Sequence, residues 1–204
     1  MGSVRTITLA RRLALVPLAA CLAAGCGAAP PVAIPSASPS PTASQTTIAP
    51  GVQVPASEVK VPPYSVSTTH PLPSGVSAAT VAQDVVIDNL IENVAIERGD
   101  AALLPYADCG NWLAAEQATI AKNHENSISV VSVRDEVTSM KLGFQSDPND
   151  SAATAAVTLT GVEVEVSRNG SAGPKTSNTA FAVLQWLSFS TATGRYLTCD
   201  SASL

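Results

Sequence analysis

The run Ala155-Ala156-Val157-Thr158-Leu159-Thr160-Gly161-Val162-Glu163-Val164-Glu165-Val166 decides the fold class of this chain. Its apolar and polar side chains alternate with period two, as in a strand with one buried face. The apolar positions are odd at Ala155, Val157 and Leu159 and even at Val162, Val164 and Val166, with Gly161 between them. A change of parity signals an extra residue in a ladder, so Gly161 is expected to mark a β-bulge that bends this strand. Residues 128–144, 176–190 and 195–200 carry the same Val, Thr and Ser alternation, and a similar slip separates Val131 and Val133 from Met140, Leu142 and Phe144. Between the strands lie Asp147-Pro148-Asn149-Asp150, Asn169-Gly170 and Thr193-Gly194, residue types that favour tight turns. Strands joined in this way make an antiparallel meander.

Upstream, the period changes to that of a helix. Ser77 is a good N-cap, and Val81, Val85, Val86, Leu90, Ile91 and Val94 recur at helical spacing until Gly99. Asp84, Asp88 and Glu92 fall four residues apart and are expected to form the solvated acidic face of this helix. Three carboxylates on one side, without other ligand types, do not argue for a metal. Asp100 can cap a short helix over 101–104 that Pro105 limits, and Asn111 can cap a third helix ending near Asn123. The expectation is an α+β domain over 77–204, with N-terminal helices packed on a curved, cone-like antiparallel meander.

The N-terminal end reads as an address. Arg5, Arg11 and Arg12 precede the apolar residues 13–25, the order of a secretory signal peptide. As a helix this run covers about 20 Å, less than the roughly 30 Å of a bilayer core. It ends in Leu22-Ala23-Ala24-Gly25-Cys26, which resembles the lipobox of bacterial lipoproteins. That resemblance implies diacylglycerol on the Cys26 thiol and cleavage just before it. Leu18-Ala19-Ala20-Cys21 fits the same pattern, but cleavage before Cys26 discards Cys21 and leaves no orphan thiol. Stable anchoring to the outer, extracytoplasmic face of the cell membrane follows from two acyl chains.

Eleven of the fifteen prolines lie between Pro30 and Pro73. Proline removes backbone donors and fixes φ, so residues 26–76 are expected to form a disordered tether. The stretch 52–66 is less polar and is a candidate to dock on the domain, which softens the boundary by about ten residues. The expected division is therefore signal peptide 1–25, tether 26–76 and one domain over 77–204. The whole chain carries a net charge of −5, and the domain has fifteen acidic against seven basic side chains. Nucleic acid is excluded as a partner, because phosphate binding needs clustered Lys and Arg.

The order of helix, short helix, helix and meander, with Gly99-Asp100-Ala101-Ala102-Leu103-Leu104-Pro105-Tyr106 after the first helix and Gly194-Arg195-Tyr196-Leu197-Thr198-Cys199 in the last strand, resembles the nuclear transport factor 2-like cone of actinobacterial-type lipoproteins. The wider family includes cofactor-free isomerases and hydrolases that act inside an apolar cavity. That resemblance implies Tyr106, Asp108, His124 and Tyr196 as catalytic candidates, although Asp108 also reads as a turn residue, His124 as a solvated loop residue and Tyr196 as a strand residue. Similar cones also occur in assembly components of envelope transport and secretion complexes.

Cys109 and Cys199 remain as an even pair in an exported domain and are expected to form a disulfide. Trp112 and Trp186 read as core anchors, and Leu142, Phe144, Phe181 and Trp186 as candidates to fill the cone. His70 falls in the tether, so it cannot join a rigid site or pair with His124 on a metal. The functional expectation is non-catalytic binding of a small apolar ligand or a cell-envelope protein partner, with no catalytic residue, no cofactor and no metal.

Overall fold

Helix α1 (Ala78–Arg98) begins where Ser77 adopts an extended backbone and its hydroxyl accepts from Thr80 N–H at 3.3 Å. It ends at Gly99, whose φ of 63° is the left-handed conformation that glycine adopts without strain. These coordinates come from a computed structural model that describes residues 44–147 and 153–204. The candidate signal peptide, Cys26 and the first part of the expected tether lie outside the described residues.

After α1, the Asp100 carboxylate accepts from Ala102 N–H at 3.1 Å, as its capping role requires. The short helix is then a single 3-10 turn at Leu104–Tyr106. Pro105 sits in its first turn, where a missing N–H is harmless, and so it starts this element instead of limiting it. Helix α2 (Gly110–Glu125) begins two residues earlier than expected, with Cys109 at the N-cap. Asn111 makes no cap; its amide donates to Asp200 Oδ2 at 3.3 Å.

Four long strands follow: β4 (Ile128–Gly143), β5 (Ala155–Asn169), β6 (Lys175–Ser190) and β7 (Arg195–Ser203). They pair in sequence order as an antiparallel meander, and β3 (Tyr64–Val66) adds a parallel edge beside β4. The molecule is thus a mixed α+β fold with helices packed on an antiparallel sheet. Val81 and Val85 of α1 pack against Met140 and Leu142 of β4, Val157 and Leu159 of β5, and Leu187 of β6. Among the described residues, no helix is long and apolar enough to cross a membrane.

The expected bulge exists on the other strand. β5 pairs with β6 without interruption from Ala155 to Ser167, so it contains no extra residue. The extra residues are in β4, at Val131 and Thr138, the second lying opposite Gly161 and Thr160. Gly161 is needed for a different reason: a Cβ there would fall 2.6 Å from the Glu136 carbonyl oxygen and 2.8 Å from the Phe181 ring. Because β5 keeps its register, its odd positions face the helices throughout. Glu163 and Glu165 therefore continue the row begun by Ala155, Val157 and Leu159, while Val162, Val164 and Val166 turn to the outer face.

The expected tether is structured over part of its length. β1 (Gln45–Ala49) and β2 (Val52–Pro55) form a hairpin across Pro50 and Gly51, the latter at φ 72°. Ile48, Ala49, Val52 and Val54 are buried against Ile91 and Ala95 of α1 and against Leu103 and Leu104. Fully burying a Val or Ile side chain contributes about 1.5–3 kcal/mol, enough to hold a proline-flanked hairpin in place. The domain thus reaches back at least to β1, not to residue 77 alone. His70 is likewise held: its N–H donates to Ser67 Oγ at 3.1 Å, and its carbonyl accepts from Phe144 N–H at 2.9 Å.

Cys109 and Cys199 are joined, with Cα atoms 4.3 Å apart and a sequence separation of 90. Closing a loop of this size stabilises by about 4–5 kcal/mol in the chain-entropy account. The link fastens the start of α2 to β7.

Candidate functional site: a buried carboxylate array

A helix returns to the same face about every four residues, so Asp84, Asp88 and Glu92 stand in one line along α1. That line is buried. The three residues are 5%, 0% and 8% exposed, which overturns the expectation of a solvated acidic face. The α1 stripe that meets the sheet combines Val81 and Val85 with these carboxylates, and the carboxylates survive there because β7 and α2 bring donors to them.

Each member of the line has its own neighbour. Asp84 Oδ2 accepts from the Tyr196 backbone N–H at 3.0 Å. Asp88 Oδ1 lies 3.2 Å from Arg195 Nη1, and the same guanidinium donates to the Tyr106 carbonyl. Glu92 Oε1 accepts from Trp112 Nε1 at 3.0 Å. Asp108 is placed by the chain on either side of it: its own backbone bridges Thr198, and Cys109 N–H donates to the Thr198 carbonyl at 2.8 Å. The Asp108 side chain is 2% exposed and faces Glu92; among the described residues, no N–H or hydroxyl donor reaches either of its oxygens. Two carboxyls so placed share a proton. Glu116 from α2, Asp135 from β4 and Glu163 from β5 extend the array, with Asn93 hydrogen-bonded to Asp135.

The electrostatics follow from this crowding. Burial raises Asp84, against the lowering effects of the Tyr196 N–H and of Arg195. Burial raises Asp88 well above the ordinary carboxylate range despite Arg195, and Glu92 and Asp84 add to the rise. Glu92 is raised well above its range by burial and by Asp108. Asp108 is pushed to about 8 by burial, as is Glu116, which Glu92, Glu163 and Asp135 raise further. Asp135 is pushed to about 6 by burial. Chemically, such a group is a carboxylic acid still holding its proton near neutral pH, able to donate a hydrogen bond or give up a proton. Among the described residues, no three His, Cys, Asp or Glu side chains are arranged to hold a metal ion.

The catalytic candidates inferred from resemblance do not assemble as a set. Tyr106 is 36% exposed, and its recorded role is the carbonyl that accepts from Arg195. His124 lines an open groove of about 330 Å³ between the ends of α1 and α2 and the start of β4, together with Ile96, Gly99, Ile120 and Val130. A Cβ on Gly99 would stand 2.4 Å from His124 Nε2, so the imidazole is seated on the bare glycine. The Tyr196 ring packs edge-on against Phe189 with centroids 5.3 Å apart. Only Asp108 belongs to the array. Of the tryptophans, Trp112 joins the array through Glu92, and Trp186 packs with Ala153 and Ala156 on the sheet's outer face. Phe144 is 38% exposed and fills nothing, whereas Leu142 is fully buried.

The array's other members, Glu92, Glu116, Asp135, Glu163 and Arg195, were not singled out as a site from sequence. The signal was present in Val162-Glu163-Val164-Glu165: a parity change without an insertion means that a strand exchanges the character of its two faces.

No family model matches the chain, and no curated protein matches it. Among solved structures, it is similar to the intermembrane space region of the chloroplast protein ARC6, at 14% identity and a TM-score of 0.48, over 63% of this chain and 97% of that one.

Proposed function

We propose that this chain is a lipid-anchored extracytoplasmic protein whose domain, a nuclear transport factor 2-like cone, binds a cell-envelope protein partner without catalysing a reaction. The observation that carries this reading over its small-ligand alternative is the filled centre between α1 and the sheet, the groove beside His124 lying at the margin and open to solvent. Leu142, Leu159, Leu187 and Val157 are at most 1% exposed there, and the rest of that space holds charged and polar side chains. An apolar ligand needs a dry cavity of several hundred Å³ lined mainly by apolar groups. The bulges at Val131 and Thr138, which bend β4 around α1, support the cone. The scattered positions of Tyr106, Asp108, His124 and Tyr196 weigh against the isomerase or hydrolase.

The test joins the anchor to the partner. In cells, Cys26→Ala is expected to abolish incorporation of labelled fatty acid and release the chain from the membrane fraction. Photo-crosslinkers placed on the sheet surface of the anchored chain are expected to trap a discrete envelope protein. Label that remains on Cys21 in Cys26→Ala moves the anchor without removing it; retention of label when Cys21 and Cys26 are both replaced by Ala, or a chain that crosslinks to nothing at any sheet position, would overturn the reading.

A further inference from the structure

The two long helices are held in different ways. α1 is buried along its length, whereas Ile120 is the one fully buried residue of α2, with Leu113 half-buried against the same cluster. Both ends of α2 are nevertheless fixed. At its start, Cys109 is bonded to Cys199 and its N–H donates to the Thr198 carbonyl at 2.8 Å. Just past its end, Ser127 turns the chain at φ 54°, and its carbonyl accepts from Gly170 N–H at 2.9 Å. In the last turn, His124 rests over Gly99 and shares with Ile120 the lining of the open groove. An element with pinned ends and few buried apolar contacts is one that opens locally while the rest of a fold stays closed.

Beneath the middle of α2 lie carboxyls. Glu116 is acted on by Glu92 of α1, Glu163 of β5 and Asp135 of β4, and it acts in turn on Asp108. Arg195 of β7 is engaged elsewhere, by Asp88 and by the Tyr106 carbonyl. One turn before Glu116, the Trp112 indole donates to Glu92 at 3.0 Å, so the first turn of α2 has a polar attachment to α1. Protonated, the carboxyls tolerate one another; each charge that forms adds repulsion directly under the helix. Burial pushes Glu116 and Asp108 up to about 8, so that charge arrives at mildly alkaline pH.

We propose that α2 is a strap, fixed at both ends, whose middle lifts off the array when Glu116 and the carboxyls facing it ionise, baring Leu113 and Ile120 while α1 and the meander stay packed. Trp112 keeps its hydrogen bond, because an ionised Glu92 is a better acceptor than a protonated one. Opening therefore starts beyond the first turn and runs to His124, which leaves its seat on Gly99. The result is an apolar surface shown in one protonation state and hidden in the other. What the sheet binds does not enter this argument, so the partner-binding reading stands or falls separately.

The experiment measures amide hydrogen exchange on the full, disulfide-bonded chain at about pH 7 and about pH 9, with rates corrected for the intrinsic effect of pH on exchange. Protection over residues 114–124 is expected to fall by about tenfold or more at the higher pH, while α1 and β4 to β7 keep theirs. Glu116→Gln keeps the shape and removes the charge, and is expected to lose less than about threefold over the same range. Glu116→Lys offers a cation to the same carboxyls and is expected to hold α2 closed at the higher pH. Binding of an apolar fluorescent dye is expected to rise with the loss of protection in the parent chain and to stay low in both variants. Protection of α2 that is the same at both pH values overturns the proposal. So does a loss shared equally by the meander, which would be global unfolding, or a loss in α2 that persists unchanged in Glu116→Gln.

Discussion

Glu116 and Asp108 each keep a proton to about pH 8, because burial and neighbouring carboxylates penalise their charged forms. In the unfolded chain such groups release their protons near pH 4. Below that pH both states are protonated and the penalty is absent. Between about pH 4 and 8 only the unfolded chain ionises, so stability falls as pH rises. Asp135, pushed to about 6, adds to the lower half of that window. The expected outcome is a melting temperature several degrees higher at pH 5 than at pH 8. Glu116→Gln, which removes one titrating group, is expected to flatten that slope and to be more stable than the parent at pH 8. A melting temperature that rises from pH 5 to pH 8 would show that the array is ionised and relieved by other means.

At the scale of elements, β4 and β5 show how a strand can be located correctly and its faces misread. The alternation of Val, Thr and Ser located the four meander strands to within a few residues, and Ser77 and Gly99 bounded α1. Pairing is a property of two strands, however, and a single sequence run does not say which of them holds the extra residue. Assigning it to Gly161 hid the two inward glutamates, and the i, i+4 spacing of Asp84, Asp88 and Glu92 was read as solvated because carboxylates are rarely buried. The docking of residues 52–66 is legible in their lower polarity, whereas the hairpin that begins at β1 is hidden for a different reason. Thr46-Thr47-Ile48-Ala49-Pro50-Gly51-Val52-Gln53-Val54 carries both alternation and a Pro-Gly turn, but composition averaged over fifty residues of Pro, Ser and Thr outweighed it. Gly161→Ala tests the close approach of β4 and β6 at the bulge: with contacts of 2.6 and 2.8 Å to be relieved, it is expected to destabilise by about 1–3 kcal/mol in denaturant unfolding. A neutral Gly161→Ala would mean that β4 yields freely at Thr138.

For the molecule as a whole, the hairpin decides where the domain begins. A chain started at Ser77 loses Ile48, Val52 and Val54 and uncovers Ile91, Ala95 and Leu104. Three buried aliphatic side chains amount to about 5 kcal/mol or more, an upper estimate, against a typical total stability of 5–15 kcal/mol. The shorter chain is expected to melt at least about 10 °C below one started at Ser44, measured by circular dichroism. Equal midpoints would return residues 44–76 to the tether.

The hairpin also decides how the molecule carries tension. Gln45 and Pro55 stand opposite each other at its open end. A pull transmitted from the N-terminal side and resisted by the sheet therefore loads the ladder one rung at a time, as a zipper does, instead of shearing all rungs together. The hairpin gives way before β4 to β7, whose ladders are longer. Its release lengthens the molecule by about 3.4 Å for each freed residue while the sheet and the disulfide stay closed. Under such a load β1 and β2 are expected to act as an extensible fuse at the N-terminal margin of the domain, one that rezips when the load is removed.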